Sequence, residues 1–163
     1  MKSVISVYVE NKYGVVARIT GLFLRKGFNI DSFTGRETDD ERFSRITISL
    51  NGDDFVCNQL INQLKKLHNV KQVKLLKQDS SVERELMLVK VKNTPENRNE
   101  IMAAADIYRA KIIDYTTDIM CVEVTGEPNK IDAFIKVMKP LGIIEMCRTG
   151  VVALERGSSI MEK

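Results

Sequence analysis

Hydrophobic and polar residues alternate at the start of the chain and then change to a helical spacing. Residues 4–9 have a period of two, which predicts a strand with one apolar face. From Val15 onward, apolar residues recur three and four positions apart, as they do along one face of an α-helix. Gly27 predicts the end of this helix, because glycine readily takes the left-handed conformation found there. A second strand is then predicted over residues 28–36.

The same two spacings continue to residue 76. Alternation around residues 45–50 predicts a third strand, and helical spacing from residue 57 predicts a second helix. An aspartate of the Asn51–Asp54 turn is expected to cap that helix at its N-terminus. Residues 70–76 predict a fourth strand, so the order of elements is β-α-β-β-α-β.

The order recurs after residues 77–83, which are polar, lack periodicity and are predicted to be a linker. Helices are expected to open near Pro95 and Pro128, since proline is favoured in the first turn. The pattern therefore predicts an α+β protein of two tandem ferredoxin-like βαββαβ domains, at residues 1–76 and 84–163. The strands predicted for the second domain cover residues 86–91, 110–115, 119–125 and 143–154, the last with a break near Gly150.

Each domain would pack two helices on one face of its sheet. A bare sheet face or edge is costly, so we expect it to pair with another chain.

Composition narrows the possible partners. The 163 residues carry 25 basic and 22 acidic side chains, and the two signs are interspersed. Nucleic-acid binding normally needs a concentrated basic face, which this sequence lacks. The chain opens with a strand pattern instead of a signal peptide, and no apolar run approaches the ~20 residues of a membrane helix. We therefore expect a cytoplasmic protein.

The sequence gives little support for a metal site or a catalytic site. The three cysteines are odd in number and widely spaced, and there is one histidine, so no zinc site is indicated. Cys57, Cys121 and Cys147 are interpreted as buried free thiols. No Ser/His/Asp grouping, P-loop or dinucleotide motif is present, and no residue is assigned as catalytic or as a metal ligand.

The turn between the first strand and the first helix carries the candidate chemistry. A helix that opens directly after Gly14 presents unpaired N–H groups and a positive dipole, which suit a carboxylate. Side-chain oxygens of Asn11 and Asn29 can accept hydrogen bonds from an ammonium group. The alternative is that these three residues only form turns. The residues of the candidate effector site are Asn11, Gly14, Val15, Val16, Asn29 and Ile30.

Several segments carry a family resemblance. In the first half they are Asn11-x-x-Gly14-Val15-x-x-Arg18-x-x-Gly21-Leu22-Phe23 and Arg25-x-Gly27-Phe28-Asn29-Ile30. In the second half they include residues 84–91, 108–114, 130–134 and 148–157. Together they resemble the regulatory (small) subunit of acetolactate synthase, also called acetohydroxyacid synthase, whose N-terminal domain is an ACT domain.

The resemblance implies a non-catalytic subunit that binds and activates a large catalytic subunit. That partner would carry thiamine diphosphate, Mg²⁺ and FAD and would condense pyruvate with pyruvate or 2-oxobutyrate, whereas this chain would hold no cofactor. The small subunit would confer feedback inhibition by valine in branched-chain amino acid biosynthesis, and preference among valine, leucine and isoleucine stays open. The effector would lie between the ACT domains of a homodimer. One chain would supply Asn11, Gly14, Val15 and Val16, and the other Asn29 and Ile30.

Three alternatives arise from the same patterns. The chain could be a free-standing ACT sensor that acts on a different enzyme. It could bind RNA through a ferredoxin-like sheet, which would require exposed sheet aromatics and a basic face, and Tyr8 and Phe43 alone do not make that platform. It could also be an independent enzyme that turns over pyruvate by itself.

Overall fold

Nine strands and four α-helices form within residues 2–161, the part of the chain that this computed structural model describes. Met1 and residues 162–163, which the predicted domain bounds include, lie outside the described residues. The first elements are β1 (Lys2–Glu10), α1 (Val15–Arg25), β2 (Ile30–Glu37), β3 (Phe43–Asn51), α2 (Asp54–Leu64) and β4 (Val70–Leu76). A short 3-10 helix (Gln78–Ser80) then precedes β5 (Ser81–Lys92), α3 (Arg98–Ile107), β6 (Lys111–Tyr115), β7 (Ile119–Gly126), α4 (Pro128–Gly142), β8 (Ile143–Arg148) and β9 (Val152–Glu155).

The first four strands form an antiparallel sheet in the order β2-β3-β1-β4. The apolar face of α1 packs with that of α2 over one side of this sheet, as the helical spacing predicts. An aspartate of the predicted turn caps α2: it is Asp53, whose Oδ1 accepts a hydrogen bond from Val56 N–H at 2.8 Å. The fully buried residues of this core include Ile5, Val7, Ile19, Phe23, Ile46, Ile48, Leu60 and Leu64.

The second sheet has the order β6-β7-β5-β8, with β9 pairing to β5 off this path. Its core is formed by α3, α4 and alternate residues of β5 and β7. Gly142, at φ 96°, ends α4, and Pro140 lies inside the helix just before that end. The two βαββαβ units that the pattern predicts are therefore present. The buried residues of this core include Met87, Val89, Met120, Val122, Ile131 and Phe134.

A polar network ties three elements of the second unit together. The Arg148 guanidinium on β8 donates to the carboxylate of Glu85 on β5, and its Nη1 lies 2.9 Å from Asp132 Oδ1 on α4. The Glu85 side chain is 6% exposed and that of Asp132 is 37% exposed. The partly buried guanidinium of Arg148 therefore links β8 to β5 and to α4.

The compact units differ from the expected domain division at two places. One unit comprises Met1–Glu83 together with Gly150–Lys163, and the other comprises Arg84–Thr149. The segment at 77–83, expected to be a linker, contains the 3-10 turn and the start of β5. The final predicted strand breaks at Gly150, which has φ 83°, and the residues beyond this break belong to the first unit.

The residues from 150 to 161, called here the C-terminal segment, cover the second face of the first sheet. Buried Val151 and Ala153 pack with Val4 and Leu76, which point away from the helices. The segment belongs to the first unit instead of the predicted second domain because of this packing. Removing the apolar side chains of Val151 and Ala153 from water lowers the free energy of the folded chain. The segment is also held by hydrogen bonds from Val151 N–H to Ser32 Oγ (3.4 Å) and from Lys74 Nζ to Glu155 Oε2 (2.8 Å).

This arrangement corrects the expectation that the helix-free face of the first sheet would be bare. Val4, Ser6 and Tyr8 on that face are all at most 5% exposed. The cover comes from the same chain, since the C-terminal segment returns to the first unit.

The cysteines are free, but they are not all buried as expected. Cys57 is buried, Cys121 is half-buried and Cys147 is exposed, because Cys147 lies on β8 with its side chain away from the core. Among the described residues, no helix has both the length and the apolar character needed to cross a bilayer.

Candidate effector site

The turn between β1 and α1 leaves a helix start open. Gly14 occupies the N-cap position with φ 80° and ψ −6°, a left-handed conformation that glycine adopts without steric cost. No side chain caps the helix, and its first turn carries no acidic residue. Arg18 N–H donates to Gly14 O at 3.0 Å, whereas the contact from Val15 N–H to Lys12 O is long at 3.4 Å. The N–H groups of this first turn are therefore positioned to bind an anion.

Asn11 fixes the position of this turn against the loop before β3. Its backbone N–H donates to Arg42 O at 2.7 Å, and its side-chain Nδ2 donates to Glu41 O at 3.0 Å. Because the amide nitrogen is engaged by Glu41, the amide oxygen is the atom left to accept a hydrogen bond from a ligand.

A cleft of about 580 Å³ lies between the turn, the start of α1, β2 and β3, all within the first unit. Its size falls in the range of small-molecule sites, ~300–1,000 Å³. Its lining combines apolar side chains with polar ones, which is the composition that an amino acid requires. The apolar lining comes from Val9, Val15, Val16, Phe33 and Ile46.

Glu10 lies at the rim of this cleft between two lysines. Its Oε1 is 2.7 Å from Lys71 Nζ, and its Oε2 is 2.9 Å from Lys12 Nζ. Hydrogen bonds from Lys71 and then Lys12 lower the pKa of Glu10 to about 2. Glu10 is therefore held ionised and paired at this rim, where Lys12 also lines the cleft.

The structure brings together part of the predicted site. Asn11, Val15 and Val16 line the cleft, and Gly14 forms the turn between them. Asn29 is exposed just before β2, and Ile30 packs against the first core, so neither lines this cleft. The assignment of these six residues to an effector stays a prediction.

Sequence reasoning missed the contribution of β2 and β3 to the cleft. Phe33, Gly35 and Glu37 pair with Ile48, Ile46 and Ser44 and point to the helix side of the sheet. A Cβ at Gly35 would lie 3.2 Å from Ile46 Cγ1, so the small residue keeps the wall close-packed. The sequence carries no period-two signal that could have identified them, because the apolar residues Ile30 and Phe33 lie three positions apart.

Two other functional possibilities lose support. Tyr8 is 3% exposed and stacks on Phe43 with ring centroids 5.0 Å apart, so the sheet offers no open aromatic platform for RNA. Within residues 2–161, no three His, Cys, Asp or Glu side chains are grouped in a way that could hold a metal ion.

Comparison with known proteins supplies the family. Residues 5–72 match the family described as an AHAS small subunit-like ACT domain, and residues 84–157 match the family described as the small subunit of acetolactate synthase. A protein of Archaeoglobus fulgidus named probable acetolactate synthase small subunit is 49% identical, over 97% of this chain and 99% of that protein. The chain belongs to the acetolactate synthase small-subunit family.

Other members agree along almost the whole length. The acetolactate synthase isozyme 3 small subunit of Escherichia coli K12 is 41% identical, over 99% of both chains. The crystal structure of the acetolactate synthase small subunit of Thermotoga maritima superposes with a TM-score of 0.89 at 36% identity, over 98% of this chain and 99% of that one. This member of the acetolactate synthase small-subunit family is thus a regulatory chain built on an ACT domain, and it is not itself the catalyst.

Proposed function

We propose that this chain binds the large catalytic subunit of acetolactate synthase, activates it, and makes it sensitive to valine. The catalytic partner would carry thiamine diphosphate, Mg²⁺ and FAD, and this chain would supply the effector site. The complex would work in the cytoplasm, in the biosynthesis of valine, leucine and isoleucine. The small-subunit names of the relatives support a large-subunit partner, and the ACT domain supports an amino acid effector.

The open helix start beside the cleft is the observation that carries the effector proposal. The carboxylate of valine would accept hydrogen bonds from N–H groups at the start of α1, where Gly14 permits close approach.

The other two parts of valine also find matching groups. The ammonium group would donate to the Asn11 side-chain oxygen, whose own nitrogen is held by Glu41 O. The isopropyl group would lie against Val15, Val16 and Phe33, where burying apolar surface stabilises binding by ~25 cal/mol per Å².

A second copy of the chain would complete the site. Asn29 is exposed and lies outside this cleft, which suits a role in the cleft of a neighbouring copy. A homodimer with two-fold symmetry would then contain two equivalent sites, each using the turn of one chain and the Asn29–Ile30 region of the other. Residues 1–76 would bind the effector and dimerise, 77–83 would connect them to the rest of the chain, and 84–163 would regulate the partner, with the C-terminal segment also covering the first sheet.

Reconstitution tests the proposal. The catalytic subunit is assayed alone, then with this chain, and then with valine, leucine or isoleucine titrated in. Activity should rise when the chain is added and fall as valine is added. Coupling between allosteric sites is typically ~1–3 kcal/mol, which is a 5- to 150-fold change in affinity. Activity that stays insensitive to all three amino acids would show that the feedback role is wrong.

A thermal-shift titration of the isolated chain provides an independent measurement. Ligand at 100 times its dissociation constant should add ~2.7 kcal/mol to the free energy of unfolding. A free-standing sensor of another enzyme would show this shift but would leave the acetolactate synthase catalytic subunit unaffected.

A further inference from the structure

Strand β6 forms one edge of the second sheet and exposes an apolar centre. Its neighbour in the sheet is β7, and all of its five residues are exposed. Ile113 is 49% exposed and Tyr115 is 54% exposed. An edge strand presents a row of unpaired N–H and C=O groups, so an apolar edge of this kind is suited to pairing with another strand.

A bulge gives this edge an unusual distribution of charge. Lys111 pairs with Glu123 and Asp114 pairs with Cys121, with an irregularity between Ile112 and Asp114. Without the bulge, residues three positions apart would point to opposite faces. With it, Lys111 and Asp114 both lie on the face that carries Glu123 and Cys121, away from the buried partners of the helix face.

We propose that β6 pairs in antiparallel fashion with β6 of a second copy of this chain. The two-fold axis would pass between Ile112 and Ile113. Lys111 would then lie opposite Asp114 of the second copy, and the same ion pair would form again on the other side of the axis. Ile112 would lie opposite Ile113 of the second copy at the centre, where each covers exposed apolar surface of the other.

The charge pattern favours a second copy over an unrelated strand. A two-fold pairing needs a strand that is its own complement, and here the positive residue and the negative residue are equally distant from the axis on one face. Opposite charges in direct cross-strand contact are favourable, and like charges are unfavourable. Shifting the axis onto Ile113 would instead place Ile112 opposite Asp114, which lies on the other face.

This interface is separate from the proposed effector site. It uses residues of the second unit, whereas the cleft lies within the first unit. Pairing through β6 should therefore occur with or without valine, and a chain that has lost its valine response should still form it. The two proposals can fail independently.

Cysteine pairing in the full-length chain tests the register. Cys121 lies opposite residue 114 and Cys147 is exposed, so both are first replaced by serine. Lys111→Cys and Asp114→Cys are made as separate chains of different tag length and co-produced. In the proposed register these two positions lie opposite each other, close enough for a disulfide. When two copies of the same variant pair, their two cysteines are offset by three residues, about 10 Å along the strands. This distance is too long for a disulfide.

The expected result is a disulfide that links the two different chains under mild oxidation, with little product from either variant alone. Equal linking in all three samples, or none in any, would overturn the proposed pairing.

A matched pair of lysine variants tests the apolar centre. Ile113→Lys would place two charges against each other at the axis, whereas Ile107→Lys changes an isoleucine that is 77% exposed at the end of α3. Disulfide linking between the Lys111→Cys and Asp114→Cys chains should fall at least about tenfold when both also carry Ile113→Lys and stay unchanged when both carry Ile107→Lys. Equal linking in the two backgrounds, with both shown to be folded by their thermal unfolding, would contradict the interface.

Discussion

Lys71 Nζ lies 2.7 Å from Glu10 Oε1, which joins the start of β4 to the end of β1 at the rim of the effector cleft. Lys12 approaches the other oxygen of the same carboxylate at 2.9 Å. The two strands and the turn that begins the candidate site therefore share one charged group. Protonating or removing this group should alter the stability of the fold.

Acid titration should reveal the Glu10 contacts. Binding of Lys71 and Lys12 lowers the Glu10 pKa from 4.5 to about 2, so the folded protein holds this proton less tightly than the unfolded chain. The contribution of Glu10 to stability is therefore present above pH 4.5 and is lost as the pH falls towards 2. Thermal unfolding between these pH values should show a smaller loss of stability in Glu10→Gln than in the parent chain. Parallel curves would show that these contacts do not stabilise the fold.

Two substitutions at Gly14 should separate the effect of a negative charge on valine inhibition from the effect of side-chain shape. Asp and Asn both tolerate the left-handed backbone at φ 80°, and a Cβ at this position meets no atom within 4 Å. Gly14→Asp adds a negative charge where the effector carboxylate would dock, and Gly14→Asn has the same shape without the charge. We expect the valine inhibition constant to rise at least about tenfold more in the Asp variant, equivalent to ~1.4 kcal/mol.

Activation of the catalytic subunit supplies the control for Gly14→Asp. The variant should activate to the same extent as the parent at equal dose, because the substitution leaves the proposed C-terminal regulatory domain unchanged. Loss of activation would count against separate roles for the two domains.

Gly150 lets the C-terminal segment approach β2 closely. It has φ 83°, and a Cβ there would lie 2.7 Å from Ser32 Cβ and 3.1 Å from Thr34 Oγ1. Gly150→Ala should therefore combine backbone strain with overpacking and lower the free energy of unfolding by about 2–4 kcal/mol. Gly157 has a similar φ of 71°, but a Cβ added there would meet no atom within 4 Å, so Gly157→Ala should cost only about 1 kcal/mol.

Urea unfolding of the two glycine variants measures this difference. Hydrogen exchange should also accelerate in β1 and β4 of Gly150→Ala, since these strands lie beneath the segment. Equal destabilisation by both variants would show that close approach to β2 is unimportant.

The Arg148 network should depend more on Glu85 than on Asp132. Glu85→Gln removes the more buried carboxylate, so Arg148 loses its better-shielded partner, and we expect a cost of about 2 kcal/mol. Asp132→Asn removes the more exposed carboxylate and should cost less than about 1 kcal/mol. Urea midpoints measured at neutral pH compare the two, and the opposite ranking would contradict this account.

The regular elements could be predicted because their signals are local. Period-two alternation predicted β1, helical spacing predicted α1, and an aspartate in the turn predicted the N-cap of α2. The return of the C-terminal segment could not be predicted in this way. Val151 and Ala153 have the same pattern as any strand, and their packing on Val4 and Leu76 depends on residues about 75 to 150 positions away.

The candidate site was predictable only in part for the same reason. The turn from Asn11 to Gly14 has a local signature, whereas Phe33 and Gly35 join the cleft through strand pairing with β3. Glu10 gained its lysine partner from β4, which is distant in sequence. Tertiary pairing, which single-sequence periodicity does not encode, decided each of these contacts.

The first unit is discontinuous along the chain, and this has a consequence for its synthesis. The ribosome makes residues 84–149 before the C-terminal segment exists, so the helix-free face of the first sheet faces water while the whole second unit emerges. Val4 and Leu76 lose contact with water only when residues 151–153 are released from the exit tunnel. The domain that begins first is therefore the last to be finished, and a nascent chain stalled before residue 150 would display an apolar surface to chaperones.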